Sequence, residues 1–132
     1  MEQNRITIDA HALIWYFHES SRGFLSAKAL KAITLAEKAG IIYVPSVALL
    51  EILRLIEKGK FPLLFSDLLS WISKSVAYEL IPLDGEILKA VTGISDKLEL
   101  HDRTIVATAI VMDTELVSMD SEISKFYKRV IW

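Results

Sequence analysis

The chain has 132 residues, of which 52% are hydrophobic and 24% charged, and its formal net charge is −2. This length suits one domain, residues 1–132, with a sizeable core, and the hydrophobic content excludes an intrinsically disordered chain. The slightly negative charge excludes a generally basic surface, so contact with nucleic acid needs a local basic patch. The absence of cysteine excludes disulfides, thiolate catalysis and cysteine-ligated zinc.

The most apolar stretch of the sequence, residues 41–56, does not predict a membrane span. Pro45, Glu51 and Arg54 interrupt it, and it is too short to cross a bilayer. Near the N-terminus, Asp9 interrupts the apolar run that a signal peptide would need. We therefore expect a cytoplasmic, soluble protein with no membrane partner.

Alternating strands and helices are predicted along the chain. In chain order the pattern predicts strand 6–9, helix 10–17, helix 27–39 capped by Ser26, strand 41–45, helix 47–58 capped by Ser46, a helix from Ser66, strand 77–83, a helix capped by Asp84, a helix from Asp102, strand 115–119, a short helix 121–127 and an edge strand 130–132. Gly40 and Gly59 are expected to end the helices before them. Short apolar strands between helices indicate an α/β fold with a central, mainly parallel sheet of four to five strands and helices on both faces.

Four acidic residues fall where this fold would bring them together. Asp9 and Asp120 end predicted strands, Asp102 begins a helix, and Glu51 lies near the start of another. In a parallel sheet the carboxyl ends of the strands and the starts of the following helices share one edge. We therefore expect these carboxylates to converge on one rim.

Each acid also has an ordinary structural interpretation. Asp9 suits a turn, and Asp102 and Asp120 suit helix N-caps. Glu51 is spaced to pair with Arg54 on the same helix. The case for a site therefore rests on the set of four rather than on any one residue.

Four segments carry a family resemblance: "IDAHALIWYF", "VPSVALLEI", "LELHDRTIVATA" and "LVSMDSEI". In this order and spacing the chain resembles the PIN-domain nucleases over nearly its whole length, and is most similar to the VapC-like toxins of toxin–antitoxin pairs. The resemblance implies a metal-dependent ribonuclease with one PIN-like domain. It places the catalytic and metal-binding acids at Asp9, Glu51, Asp102 and Asp120.

Residues beside the acids are also implied by the resemblance. Ser46 and Ser118 stand where the family often has a hydroxyl near the site, whereas Ala10 stands where threonine or serine is common. Arg103 is a further candidate neighbour of the acids. It could bind a phosphate group or, as we prefer, form an ion pair with a nearby acid. We assign no catalytic role to His11.

The expected cofactor is Mg²⁺ or Mn²⁺, since phosphodiester hydrolysis needs an activated water and neutralisation of phosphate charge. These hard cations prefer oxygen ligands, which carboxylates supply without cysteine. Clustered carboxylates repel one another and raise one another's pKa, and a cation relieves that repulsion. A cluster of acids is therefore better explained by a metal than by structure alone.

The expected partners are an RNA substrate, a small antitoxin protein and a second copy of the chain. The antitoxin is expected to cover the acidic rim and to contact helices in residues 10–17 and 46–72, and apolar residues in 47–72 are expected to form a homodimer. The alternatives are an RNA processing or decay nuclease without an antitoxin, a catalytically silent PIN-like binding module, and a receiver-like phosphorylation switch. A receiver would have adjacent acids after its first strand, whereas Ala10 and His11 follow Asp9.

Overall fold

The computed structural model describes residues 4–132, in which short apolar segments form one five-stranded sheet. The strands are β1 (Asn4–Ile8), β2 (Gly40–Pro45), β3 (Tyr78–Ile81), β4 (Glu115–Val117) and β5 (Val130–Ile131). The helices are α1 (Ala10–Phe17), α2 (Ala27–Ala39), α3 (Ser46–Glu57), α4 (Phe65–Lys74), α5 (Gly85–Val91), α6 (Leu100–Met112) and α7 (Ser121–Ser124), with a 3₁₀ helix at Glu19–Phe24. The sheet order is β3-β2-β1-β4-β5 and every pairing is parallel. The predicted α/β class and parallel sheet are confirmed.

Helices cover both faces of the sheet, as β2 shows. Ile42 and Val44 are fully buried in the main core, which also contains Ile33 of α2. Tyr43, between them, packs instead with Ile87 of α5 and Ala107 of α6. Successive side chains of a strand point to opposite faces, so α2 lies on one face and α5 and α6 lie on the other.

Some predicted helix caps are present and others are wrong. The side chains of Ser26 and Asp84 accept hydrogen bonds from the backbone at the starts of α2 and α5, as predicted. Ser46 is instead the first residue of α3, which follows Pro45 and has no side-chain cap. Asp102 does not begin α6, because Glu99 caps this helix and accepts from the N–H groups of His101 and Asp102.

Several predicted bounds also differ. The third strand ends at Ile81 because Pro82 cannot donate a ladder hydrogen bond, and the fourth ends at Val117 rather than at residue 119. The fourth helix begins at Phe65 rather than at Ser66.

The two predicted helix-ending glycines serve different purposes. Gly59 has φ 75°, the left-handed conformation expected after a helix. Gly40 ends α2, as predicted, but with φ −151° rather than a positive φ, and it also begins β2. A Cβ at Gly40 would lie 1.7 Å from the carbonyl oxygen of Asn4 on β1. Glycine is required at this position because there is no room for a side chain between the strands, and not because of its conformational freedom.

The strand order reverses between β1 and β4. The chain passes from β1 to β2 and β3 on one side, then crosses back to β4 on the other side of β1. Ligand sites of parallel α/β folds lie beyond the carboxyl ends of strands at such a point. Asp9 follows β1 directly there, and Asp120 lies just beyond β4. Among residues 4–132, no helix is long and apolar enough to cross a membrane.

Candidate active site

A cavity of about 330 Å³ lies at the carboxyl ends of β1 and β4. Its lining residues are Asp9, His11, Glu51, Asp102, Met119, Asp120 and Ser121. The wall therefore carries one carboxylate from the end of β1, one from α3, one from α6 and one that precedes α7. The topology thus places side chains from distant parts of the sequence around one space.

Ser118 connects two of these acids. Its buried hydroxyl donates to Asp9 Oδ2 at 2.7 Å, and Ser118 Oγ also accepts from the backbone N–H of Asp120 at 3.1 Å. The other carboxylate oxygen of Asp9 accepts from the N–H of Ala10 at 2.7 Å. Asp9 is 7% exposed, so these contacts hold its carboxylate in one orientation at the end of the strand.

Asp102 lies in the first turn of α6 and is presented by a buried helix. The helix is fully or almost fully buried from Thr104 to Ala109, which fixes its position against the sheet. Glu99 supplies the N-cap, so the carboxylate of Asp102 is not used to satisfy the start of the helix. The interpretation of Asp102 as an N-cap is therefore wrong, and its carboxylate faces the cavity instead.

Asp9 and Asp120 combine a capping contact with their place in the cavity wall. Asp120 caps α7 by accepting from the N–H of Glu122 at 2.8 Å, and Asp9 accepts from the first residue of α1. Asp120 thus forms the cap that its ordinary interpretation expected, whereas Asp9, interpreted as a turn residue, caps α1, and both also line the cavity. A capping contact occupies one carboxylate oxygen, and the second remains directed elsewhere.

The cavity raises the pKa of several of its acids. Burial is the largest cause of the raised pKa of Asp9, which the hydrogen bonds from Ser118 and Ala10 oppose. Burial, followed by the charges of Asp120 and Asp9, raises the pKa of Asp102 from 3.8 to about 7. Burial and the charge of Asp9 also raise the pKa of Glu51. The metal-free cavity therefore holds negative charge at a cost, which a bound cation would relieve.

Glu51 faces the cavity rather than pairing along its own helix. Its Oε2 lies 3.8 Å from Nδ1 of His11, which contributes to the same wall. Among the described residues, no ion pair joins Glu51 to Arg54, so the alternative interpretation, a pairing along α3, is not seen. His11, to which we assigned no catalytic role from the sequence, is thus a direct neighbour of one acid. Its spacing of two residues from Asp9 was the available signal.

The three residues predicted to neighbour the acids do not line the cavity: Ser46, Arg103 and Ser118. Ser46 is the half-buried first residue of α3. Arg103 is half-buried, and its Nε is enclosed without a hydrogen-bond partner among the described residues. No carboxylate of residues 4–132 lies within ion-pair distance of Arg103, so the preferred pairing with an acid is not seen. Only Ser118 of the predicted neighbours contacts a cavity acid directly.

The donor set fits a hard divalent cation. Four carboxylates share the wall of a small, partly buried space, and oxygen donors are what Mg²⁺ and Mn²⁺ prefer. Within residues 4–132, no group of three or more Asp, Glu and His side chains lies close enough together to hold one ion as positioned. The fit to a cation therefore rests on the oxygen chemistry of the shared wall rather than on a preformed set of ligands.

The family follows from the match to the sequence as a whole. The family model of the PIN domain matches residues 6–129, which include all four cavity acids. The chain belongs to the PIN-domain family. PIN domains are generally nucleases and generally use divalent metal ions. No curated protein matches the chain in sequence.

Solved structures share this PIN fold at low sequence identity. A chain of VapBC2 from Rickettsia felis, crystallised with a DNA fragment from its promoter, is 14% identical and superposes with a TM-score of 0.69. A chain of a toxin–antitoxin complex from Klebsiella pneumoniae is 15% identical, with a TM-score of 0.63. In both cases 96% of each chain is covered, so the likeness extends over the whole fold.

Proposed function

We propose that this PIN domain is a divalent-metal-dependent endoribonuclease and the toxin of a type II toxin–antitoxin pair. The observation that carries the proposal is the single cavity shared by Asp9, Glu51, Asp102 and Asp120. Hydrolysis of a phosphodiester requires neutralisation of phosphate charge and an activated water, and Mg²⁺ or Mn²⁺ supplies both when bound. The family supports nuclease chemistry, and RNA is the substrate that we propose.

In this proposal the four acids hold the cation, and their neighbours set their positions. Ser118 fixes the orientation of Asp9 and, through the N–H of Asp120, the start of the segment that carries the last acid. Glu99 caps α6 and so leaves the carboxylate of Asp102 available. These residues perform no chemistry themselves, and their contribution is to keep the acids in place.

The toxin assignment draws on the two toxin–antitoxin complexes that share the fold. At this low sequence identity the two structures support the fold of the chain but not its biological role. The toxin assignment is therefore tested by looking for an antitoxin partner. A processing or decay nuclease without an antitoxin is the runner-up, because the same cavity would serve it. Either activity would take place in the cytoplasm, where the RNA is.

Exposed apolar side chains supply a surface for protein partners. Leu50, Leu64 and Leu69, in residues 46–72, are 65%, 66% and 39% exposed. We propose that an antitoxin covers the acidic cavity and contacts α1 and this region, and that part of the region also pairs with a second copy of the chain. Burial of such leucines contributes favourably to association.

Cleavage of total RNA with Mg²⁺, Mn²⁺ or EDTA tests the activity. We expect cleavage with either metal and none with EDTA, and we expect Asp9→Asn and Asp120→Asn to abolish it while the circular dichroism spectrum is unchanged. Asp96→Asn removes an exposed acid outside the cavity and is the matched control. Full cleavage by either cavity variant would contradict the proposed site.

Purification from the native operon tests the partner. A small protein that co-purifies and inhibits cleavage supports the toxin, whereas an active nuclease without any small partner favours the processing enzyme. Sedimentation at micromolar concentration tests the dimer, with Leu64→Glu expected to dissociate it and Leu88→Glu, exposed on α5, as the control. A wild-type protein that sediments as a monomer would contradict the proposed homodimer.

A further inference from the structure

A second cavity, of about 390 Å³, adjoins the acidic one. It is lined by Val47, Leu50, Glu51, Arg54, Glu99 and His101. The first four of these follow the spacing of one face of α3, and the last two come from the start of α6 across the gap. Glu51 lines both cavities, so they lie on either side of one carboxylate side chain.

The walls of this second cavity differ in chemistry from those of the acidic cavity. Val47 and Leu50 provide an apolar wall, and Leu50 is 65% exposed. Arg54 and His101 provide a guanidinium and an imidazole, the planar groups on which unpaired RNA bases stack. Among the described residues Arg54 has no ion-pair partner, so its guanidinium is available.

Glu99 offers a single acceptor to the same space. Its Oε2 accepts from the N–H groups that begin α6, at 3.0 and 3.3 Å. Its Oε1 lies 3.5 Å from Nδ1 of His101, beyond a short hydrogen bond, and can accept from a ligand. A carboxylate acceptor favours a base that carries an exocyclic amino group, as adenine, cytosine and guanine do and uracil does not.

We infer that this second cavity binds the nucleobase next to the scissile phosphate of a single-stranded RNA, with Leu50, Arg54 and His101 contacting the base and Glu99 selecting one with an amino group. The inference rests on the proposed nuclease function, since the phosphate is assigned to the neighbouring acidic cavity. The size suits one nucleoside, because small-molecule sites have volumes of about 300–1,000 Å³. Base pairing would remove the base from reach, so the cavity selects unpaired RNA.

Binding of mononucleotides tests the subsite independently of cleavage. Wild-type protein is titrated with AMP, CMP, GMP and UMP in Mg²⁺, so that the carboxylates of the acidic cavity do not repel the phosphate, and NMR follows the methyl groups of Leu50 and the imidazole of His101. We expect shifts at both positions and weaker binding of UMP. Leu50→Ala and Arg54→Ala should weaken binding of AMP roughly five- to a hundredfold, the usual effect of losing one stacking contact. Leu88→Ala, at a leucine 52% exposed on α5, should bind like wild type.

Cleavage of a short RNA pool with a randomised sequence provides the second readout. We expect wild type to cut beside amino-bearing bases, and Leu50→Ala and Glu99→Gln to lose that preference at one position. Glu99→Gln should also cut more slowly, because Glu99 caps α6 and thereby helps to position Asp102. The subsite would be overturned if mononucleotides shifted the NMR signals of other residues instead. It would also be overturned if Leu50→Ala and Arg54→Ala bound mononucleotides and selected bases as Leu88→Ala does. If mononucleotides bind as expected but no RNA is cut with metal, the subsite stands and the nuclease function fails.

Discussion

Replacing Asp102 with asparagine tests whether the acidic cavity is electrostatically strained without metal. Burial and the neighbouring carboxylates raise the pKa of this group from 3.8 to about 7. A carboxyl group whose pKa is raised in the folded state contributes stability that is fully present below its unfolded pKa of 3.8, where both states are protonated. That contribution is lost progressively as the pH rises from there through the folded pKa of about 7, because only the folded state then still binds the proton. Above neutral pH, the ionised Asp102 should therefore destabilise the metal-free protein relative to a neutral asparagine.

The magnitude follows from the difference between the two pKa values. Before screening by solvent is considered, this difference corresponds to roughly 4 kcal/mol of unfolding free energy. Because Asp102 is only half-buried, solvent screening reduces the expected effect to about 1–2 kcal/mol. For a domain of this size, the asparagine variant should melt about 3–10 °C higher than wild type in EDTA at about pH 8.

Thermal unfolding in EDTA across pH, and again with Mn²⁺, provides the assay. The advantage of Asp102→Asn should shrink as the pH falls from about 7 to about 4, because wild type then becomes protonated too. Added Mn²⁺ should stabilise wild type more than the variant, since the variant lacks one of the four proposed ligands. Asp96→Asn should follow wild type throughout. A variant that melts below wild type at about pH 8, or an advantage independent of pH, would refute the electrostatic account.

Other predictions concern the supports of the site and the core. Ser118→Ala should lower the unfolding free energy by about 1–3 kcal/mol in urea denaturation, because Asp9 loses a buried donor, and should slow RNA cleavage. Gly40→Ala should lose at least about 3 kcal/mol, since its Cβ would clash with β1, whereas Gly23→Ala has open space and should melt like wild type. Ile52→Ala should lose about 2–5 kcal/mol in the same assay, because Ile52 is fully buried.

The parallel sheet was predictable because its strands are short, apolar and separated by helical segments. Their ends were less predictable, since a strand stops where its partner stops. Glu115–Val117 pairs with both β1 and β5, and the ladder to β1 ends with Ile8 opposite Val117. The strand was predicted to continue to Met119, but Ser118 donates to Asp9 and Met119 lines the acidic cavity. Periodicity alone carries no information about where the neighbouring strand ends.

The convergence of the acids was also a consequence of topology, whereas their contacts were not. The carboxyl ends of parallel strands share an edge whatever the side chains are, so Asp9 and Asp120 could be placed near each other from the sequence. The hydrogen bond from Ser118 to Asp9 joins residues 109 positions apart. The sequence around either residue does not predict this contact, because it depends on the register of β4 against β1.

The start of α6 shows how local signals can compete. Glu99 and Asp102 are both acids near a helix N-terminus, where negative charge is favourable at several positions. The preference of aspartate for the N-cap favoured Asp102 in the sequence, but the helix begins one turn earlier and Glu99 occupies the cap. The predicted start of α6 was therefore about one turn too late. This error assigned the capping role to Asp102, although Glu99 makes the capping contacts.

This division between two acids explains why so apolar a helix begins with several polar residues. Burial of α6 between Thr104 and Ala109 fixes the helix against the sheet, and the N–H groups at its start then need an acceptor. Glu99 satisfies them from an exposed position, where its own charge remains solvated. Asp102 is thereby left half-buried and directed at three other carboxylates, an arrangement that the helix itself does not require. A group held in place at a cost to the metal-free fold is what a cation site needs, and helix capping alone gives no reason to keep it.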